Sequence, residues 1–243
     1  MKAGAMTPRK IIPLVGLALC GLLGMAAVRP GRVDSPHRGS HPAVLPVPTA
    51  TQRVATFAGG CFWSMQKAFD GVAGVVSVTA GYAGGSKADP NYEEVETGRT
   101  GYAESVQVIY DPARISYPGL LDVYWHHIDP LTANQAFCDR GPQYRSIIFY
   151  RDADQRQLAE ASKQALDKSH RFPTPIVTAI QPATRFYPAE EYHQQFYKKN
   201  PERYQAYVIG CGRNERIKEL WGDEQSRVSS RESPVQNGSG ARR

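Results

Sequence analysis

Cys61 follows Gly59-Gly60 and precedes Phe62-Trp63. It stands where an alternating segment, Arg53 to Ala58, gives way to a helical spacing of Phe62, Met65, Ala68 and Phe69. A cysteine in the first turn of a helix faces backbone N–H groups and the positive end of the helix dipole. Both stabilise a thiolate, which predicts a thiol pKa below the ordinary value of about 8.5. The two glycines let a substrate come close to that backbone, and the two rings offer an apolar wall. Position alone leaves a plainer reading open, a structural cysteine packed among aromatics.

The chain has four cysteines: Cys20, Cys61, Cys138 and Cys211. Cys20 lies in an amino-terminal apolar run, so its removal would leave three. An odd number suits a reactive thiol with partners better than a structural disulfide framework. A thioredoxin-type site is disfavoured because no C-x-x-C occurs. Paired zinc-ligand spacing is also missing, and no metal or organic cofactor is expected. His126, His127 and His193 could in principle serve a Cys-His hydrolase, but no local protease signature accompanies Cys61.

The elements that must position Cys61 follow from periodicity. Glu104 to Tyr110 and Arg145 to Arg151 read as strands, and Val72 to Tyr82 as a β-branched run. Val177 to Ile180 reads as a shorter strand. Tyr117 to Ile128, behind a capping Ser116, and Asp152 to Ser169 read as helices, with a short one over Ala189 to Tyr197. This order implies an α+β fold: a mixed β-sheet with helices packed on one face, a ferredoxin-like-derived α/β sandwich with a long irregular C-terminal segment. The connections Gly84 to Gly101 and Asp129 to Tyr144 exceed usual loop lengths and are candidates for function.

The ends differ from the middle. Lys2, Arg9 and Lys10 precede Ile11 to Val28, which carries no charge. That pattern matches an export signal, or a membrane anchor if residues 1–28 are retained. Residues 29–52 are rich in Pro, Ser and His and read as a flexible linker. Residues 53–222 are assigned to the catalytic domain and 223–243 to a disordered tail. The net charge of +6 resides in the ends: six basic residues face one acidic in residues 1–52, and four face three in 222–243. The middle is neutral, so no nucleic-acid partner is implied. The expected location is periplasmic, or anchored to the inner membrane with the domain outside the cytoplasm.

Several segments then occur in a fixed order. They are Gly60-Cys61-Phe62-Trp63, Gly81-Tyr82-Ala83-Gly84-Gly85, Pro90-Asn91-Tyr92 and Gly101-Tyr102-Ala103-Glu104-Ser105-Val106. Asp139-Arg140-Gly141-Pro142-Gln143-Tyr144-Arg145-Ser146 and Ala189-Glu190-Glu191-Tyr192-His193-Gln194-Gln195 follow. In order and spacing, over about residues 53 to 213, the chain resembles the A-type peptide methionine sulfoxide reductases. The resemblance implies Cys61 as nucleophile, Phe62 and Trp63 as the pocket for the substrate's S-methyl group, and Glu104 and Asp139 as the acidic residues. It implies Tyr92 and Tyr144 as donors to the sulfoxide oxygen. It further implies a monomer that acts on oxidised proteins or free methionine sulfoxide and is recycled by a thioredoxin-like reductant.

The chemistry is consistent with those roles. A sulfoxide becomes a usable electrophile when its oxygen is protonated or strongly hydrogen-bonded. A carboxyl group kept neutral by an apolar site can supply the proton. Attack leaves a sulfenic acid on Cys61, which a second thiol converts to a disulfide. Cys211, between Gly210 and Gly212, is the expected resolving cysteine, with Cys138 as the alternative. One departure from the family pattern is Ser64, where Gly is common. The competing reading is a redox-sensing or methionine-binding protein on the same fold without turnover.

Overall fold

The computed structural model describes residues 42–222. The apolar run Ile11 to Val28, the first part of the expected linker and the expected tail lie outside that range. In chain order the elements are β1 (Arg53–Ala58), α1 (Phe62–Phe69), β2 (Val75–Ala83), α2 (Tyr92–Glu96), β3 (Ala103–Tyr110) and α3 (Tyr117–Trp125). Next come the two-residue strands β4 (Gln135–Ala136) and β5 (Asp139–Arg140), then β6 (Ile147–Tyr150), α4 (Ala153–Lys168), β7 (Ala179–Pro182) and β8 (Tyr187–Pro188). Helices α5 (Phe196–Lys199), α6 (Pro201–Gly210) and α7 (Arg213–Trp221) complete the domain.

Six strands form one sheet in the order β7-β6-β1-β3-β2-β8. The β6–β7 pair is parallel and the others are antiparallel, so the sheet is mixed. Alternation along β1 sends Ala55 and Phe57 to one face and Ala58 to the other. On the first face Phe57 stacks on Phe69 of α1 at 5.2 Å and on Tyr124 of α3 at 5.0 Å. All three rings are fully buried, and truncating Phe57 to Ala would cost about 3–5 kcal/mol. The opposite face is covered by Phe186, with Leu45 packed beside it.

Part of the stretch expected to be a linker therefore has fixed contacts. Pro42 bridges to Glu190, and the Ala43 N–H donates to the Ala189 carbonyl at 3.0 Å. No helix among the described residues is long and apolar enough to cross a membrane.

Two regions differ from the periodicity reading. The helix expected over Ala189 to Tyr197 is interrupted: Glu191–His193 makes a 3-10 turn and Gln195 adopts φ +50° before α5 begins. The reason is Gln194, whose buried amide imitates a strand backbone. Its Oε1 accepts the Ala80 N–H and its Nε2 donates to the Ala80 carbonyl, both at 2.9 Å.

The segment after β8, expected to be irregular, is largely helical. Tyr204 and Val208 of α6 pack with Phe196, while Ile217, Leu220 and Trp221 of α7 enter the main core. Those apolar residues recur at helical spacing between many charges, a weak pattern that tertiary burial completes.

Candidate active site

Cys61 is the N-cap of α1, and its carbonyl accepts the N–H groups of Ser64 and Met65. Two glycines place it there by close approach. A Cβ on Gly59 would meet Ile128 Cγ2 at 2.4 Å, and one on Gly60 would meet Ala136 Cβ at 2.5 Å. Gly60 also has φ +89°, a region that side chains disfavour. The Tyr124 hydroxyl donates to the Ala58 carbonyl at 2.9 Å and fixes the end of β1 just before this turn.

Burial pushes the Cys61 thiol well up, and the neighbouring carboxyl groups of Glu104 and Asp139 push it the same way. The Trp63 N–H and the nearby Tyr207 side chain act the other way and are outweighed. The lowered pKa expected from the helix terminus is thus corrected: Cys61, only 6% exposed, holds its proton. Desolvating a charge costs more here than one helix end returns.

Glu104 lies on β3 and is 2% exposed. Its Oε2 accepts the Phe62 N–H at 2.8 Å. Burial raises its pKa well above the ordinary carboxylate value, and the neighbouring Glu96 and Asp139 raise it further against the Phe62 contact. The carboxyl groups of Glu104 and Glu96 face each other, a contact that pushes the Glu104 pKa up. The Tyr144 hydroxyl donates to Glu96 Oε1 at 2.8 Å. Glu96 was not identified from sequence; it sits on α2, inside the long connection after β2, behind a capping box formed by Asn91 and Glu94. That capping pattern was the available signal.

Tyr92 opens α2, and its backbone N–H donates to Glu190 Oε1 at 2.9 Å. Glu190 Oε2 accepts the Tyr82 hydroxyl at 2.8 Å. The rings of Tyr92 and Phe62 flank His193 at 4.3 and 4.9 Å. Trp63 stacks on Phe196 at 3.7 Å, and its indole N–H donates to His193 Nδ1 at 3.0 Å. Phe62, Trp63, Tyr92 and His193 thus form one aromatic group beside the thiol. Burial raises the pKa of Tyr92 and of Tyr144, and the neighbouring carboxyl groups of Glu104 and Glu96 raise both further. Both hydroxyls therefore remain donors.

Asp139 begins β5, and its Oδ2 accepts the Tyr207 hydroxyl at 2.5 Å. Tyr207, missed in the sequence, lies on α6 three residues after Tyr204 and joins Asp139 to Cys61. Arg213, also missed, is buried: it donates to the His127 carbonyl at 2.6 Å and stands over the Phe137 ring at 4.2 Å. Of the cysteines among the described residues, Cys138 and Cys211 form a disulfide, Cα–Cα 4.9 Å, and Cys61 is free. The two alternatives for the resolving thiol are therefore bonded to each other.

The comparisons with known proteins agree with this geometry. The family profile described as "Peptide methionine sulfoxide reductase" matches residues 53–225. The chain is similar to the peptide methionine sulfoxide reductase MsrA of Listeria innocua, with 51% identity over 167 residues, 69% of this chain and 94% of the relative. It is similar to that of Halalkalibacterium halodurans with 52% identity over 168 residues, covering 69% and 96%. Among solved structures, reduced Mxr1 of Saccharomyces cerevisiae matches with a TM-score of 0.59 and 35% identity, over 65% of this chain and 90% of that one. Methionine sulfoxide reductase A of Corynebacterium diphtheriae matches with a TM-score of 0.57 and 32% identity, over 67% and 86%. The chain belongs to the peptide methionine sulfoxide reductase family.

Proposed function

We propose that this protein reduces the S epimer of methionine sulfoxide in proteins, with Cys61 as nucleophile. The observation that carries the reading is the protonated, buried Glu104 hydrogen-bonded to the backbone one residue past a buried free thiol. The sulfoxide oxygen takes the Glu104 proton while the Cys61 sulfur attacks. Cys61 bonds to the substrate sulfur and gives its thiol proton to Glu104. The hydroxyl then passes from the substrate sulfur to Cys61, the bond between the two sulfurs breaks, and the thioether leaves, with Cys61 now the sulfenic acid. Tyr92 and Tyr144 donate to that oxygen, and the Phe62–Trp63 group receives the S-methyl.

Recycling follows from the placement of the other thiols. The Cys211 N–H closes the last turn of α6 on the Tyr207 carbonyl at 2.9 Å, so Cys211 stands one helical turn from the residue that reaches Cys61. Its thiol attacks the sulfenic acid, water leaves, and a Cys61–Cys211 disulfide forms. Cys138 then displaces Cys61, giving the Cys138–Cys211 bond and a free nucleophile. A thioredoxin-like dithiol restores both thiols. The amino-terminal pattern supports action outside the cytoplasm, and mass spectrometry of the mature terminus tests that.

The test of the activity is consumption of the separated S and R epimers of a blocked methionine sulfoxide with dithiothreitol. Loss of the S epimer alone is expected. Consumption of neither would favour the methionine-binding alternative.

A further inference from the structure

The sheet has a second face, turned away from Cys61, and beside it lies a cavity of about 690 Å³. Alternation along β3 sends Glu104, Val106 and Val108 toward α1 and leaves Ala103 and Gln107 on the other side. Register places Thr56 of β1 and Thr79 of β2 abreast of Gln107. All three are buried, and Gln107 is only 7% exposed. Its side chain borders the cavity, and its amide has no hydrogen-bond partner among the described residues. Buried amides are normally paired, so this one is placed to meet a group that enters the cavity. We infer that the cavity binds a small organic carboxylate that carries an apolar ring.

The walls define that class. Phe186, Tyr187 and Leu45 supply apolar surface, and Arg151 and Arg185 supply charge. Arg151 follows Phe149 by two residues and so rises from the same side of the sheet, where Phe149 stands abreast of Thr56. The Arg185 guanidinium lies over the Tyr187 ring at 4.8 Å. Neither arginine is in an ion pair among the described residues. Two carboxyl groups also border the cavity, Glu190 and Asp89. Glu190 already accepts the Tyr82 hydroxyl and the Tyr92 N–H. Two guanidinium groups therefore face one uncommitted carboxylate, and the surplus fits a monoanion. The arginine fork matches a carboxylate with paired N–H donors. The volume falls within the range of about 300–1,000 Å³ usual for small-molecule sites, which join apolar walls to a few polar groups.

In this arrangement the carboxylate meets Arg151 and Arg185, the ring lies on Phe186 and Leu45, and a polar atom on the ring meets the Gln107 amide. Binding is non-covalent. None of Cys61, Tyr92, Glu104 and Tyr144 borders the cavity, so the site is separate from the thiol and stands independently of the reduction proposed above.

The experiment uses the full-length protein and two probes of equal shape, indole-3-acetate and its uncharged analogue indole-3-acetamide. Isothermal titration calorimetry should show one indole-3-acetate bound per chain, about tenfold or more tightly than the amide. Both arginines are exposed, and the double variant Arg151→Gln, Arg185→Gln should keep the wild-type circular dichroism. It should bind indole-3-acetate about tenfold or more weakly and the amide within about twofold of wild type. Gln107→Leu, which removes the partner of the indole N–H, should weaken indole-3-acetate about threefold or more. No saturable binding, equal affinity for acid and amide, or unchanged affinity in the double-arginine variant would each overturn the assignment. Displacement of the probe by blocked methionine S-sulfoxide would place it in the catalytic pocket and overturn it as well.

Discussion

The Phe62 N–H donates to Glu104 Oε2 at 2.8 Å, tying a protonated carboxyl group to the first turn of the helix that Cys61 caps. The proposed acid is thereby joined through one hydrogen bond to the residue next to the proposed nucleophile, across β3 and α1.

Glu104→Gln retains an oxygen for the Phe62 N–H but has no acidic proton to give. The single-turnover rate should fall by about 10²–10⁴-fold. Because Glu104 titrates well above an ordinary carboxylate, the wild-type rate should be sustained past the usual carboxylate range and fall as pH rises through that raised value. A stopped-flow pH profile of methionine release checks both statements, and an unchanged rate in the variant would remove Glu104 as the acid.

Cys61→Ser should abolish reduction with any reductant. Cys211→Ser and Cys138→Ser should each release one methionine per enzyme at the wild-type rate and then stop or slow with a thioredoxin-type reductant. Quantifying methionine against enzyme active sites tests this. Unimpaired recycling in either variant would take that cysteine out of the relay.

Ser64 accepts a hydrogen bond from the Tyr204 hydroxyl at 3.2 Å, linking α1 to α6. Ser64→Gly removes that bond and increases the freedom of the unfolded chain, costing about 1–2 kcal/mol together. Thermal denaturation should show a Tm lower by several degrees, with single-turnover activity retained. An unchanged Tm would mean that the contact contributes nothing.

His127 has Nδ1 2.7 Å from the Val123 carbonyl. Burial, with help from Arg213, pushes its pKa down to about 4. The unfolded chain binds this proton near pH 6.5, so the contribution is fully present above that pH and is lost as pH falls toward 4. Between pH 7 and 5 the loss should approach about 2 kcal/mol. Urea midpoints of wild type and His127→Gln at the two pH values measure it; an equal pH dependence would assign the effect elsewhere.

The legible parts of this molecule are those with local causes. Alternation in Arg53 to Ala58 and the glycines before Cys61 announce a strand, a tight turn and a helix start, and the structure has all three. The Glu104 carboxyl was identifiable from its motif, but its partner Glu96 was not, because the pairing joins α2 to β3 across a loop. Tyr207 and Arg213 were hidden for a related reason: their helices are mostly polar, and only packing against Phe196 and the core shows which face is inward. The thiol pKa was misjudged because a helix terminus is visible in a sequence, whereas depth of burial is not.

Nothing but a hydrogen atom separates the Gly60 backbone from Ala136, since a Cβ there would stand 2.5 Å from the alanine's own. Ala136 precedes the turn that carries Cys138, so the nucleophile's strand end and the outermost thiol share one hard surface. Gly60→Ala would act as a spacer, pushing the hairpin outward and lengthening the path over which the sulfurs must exchange. The span of the redox circuit is set by a methyl group that the chain leaves out.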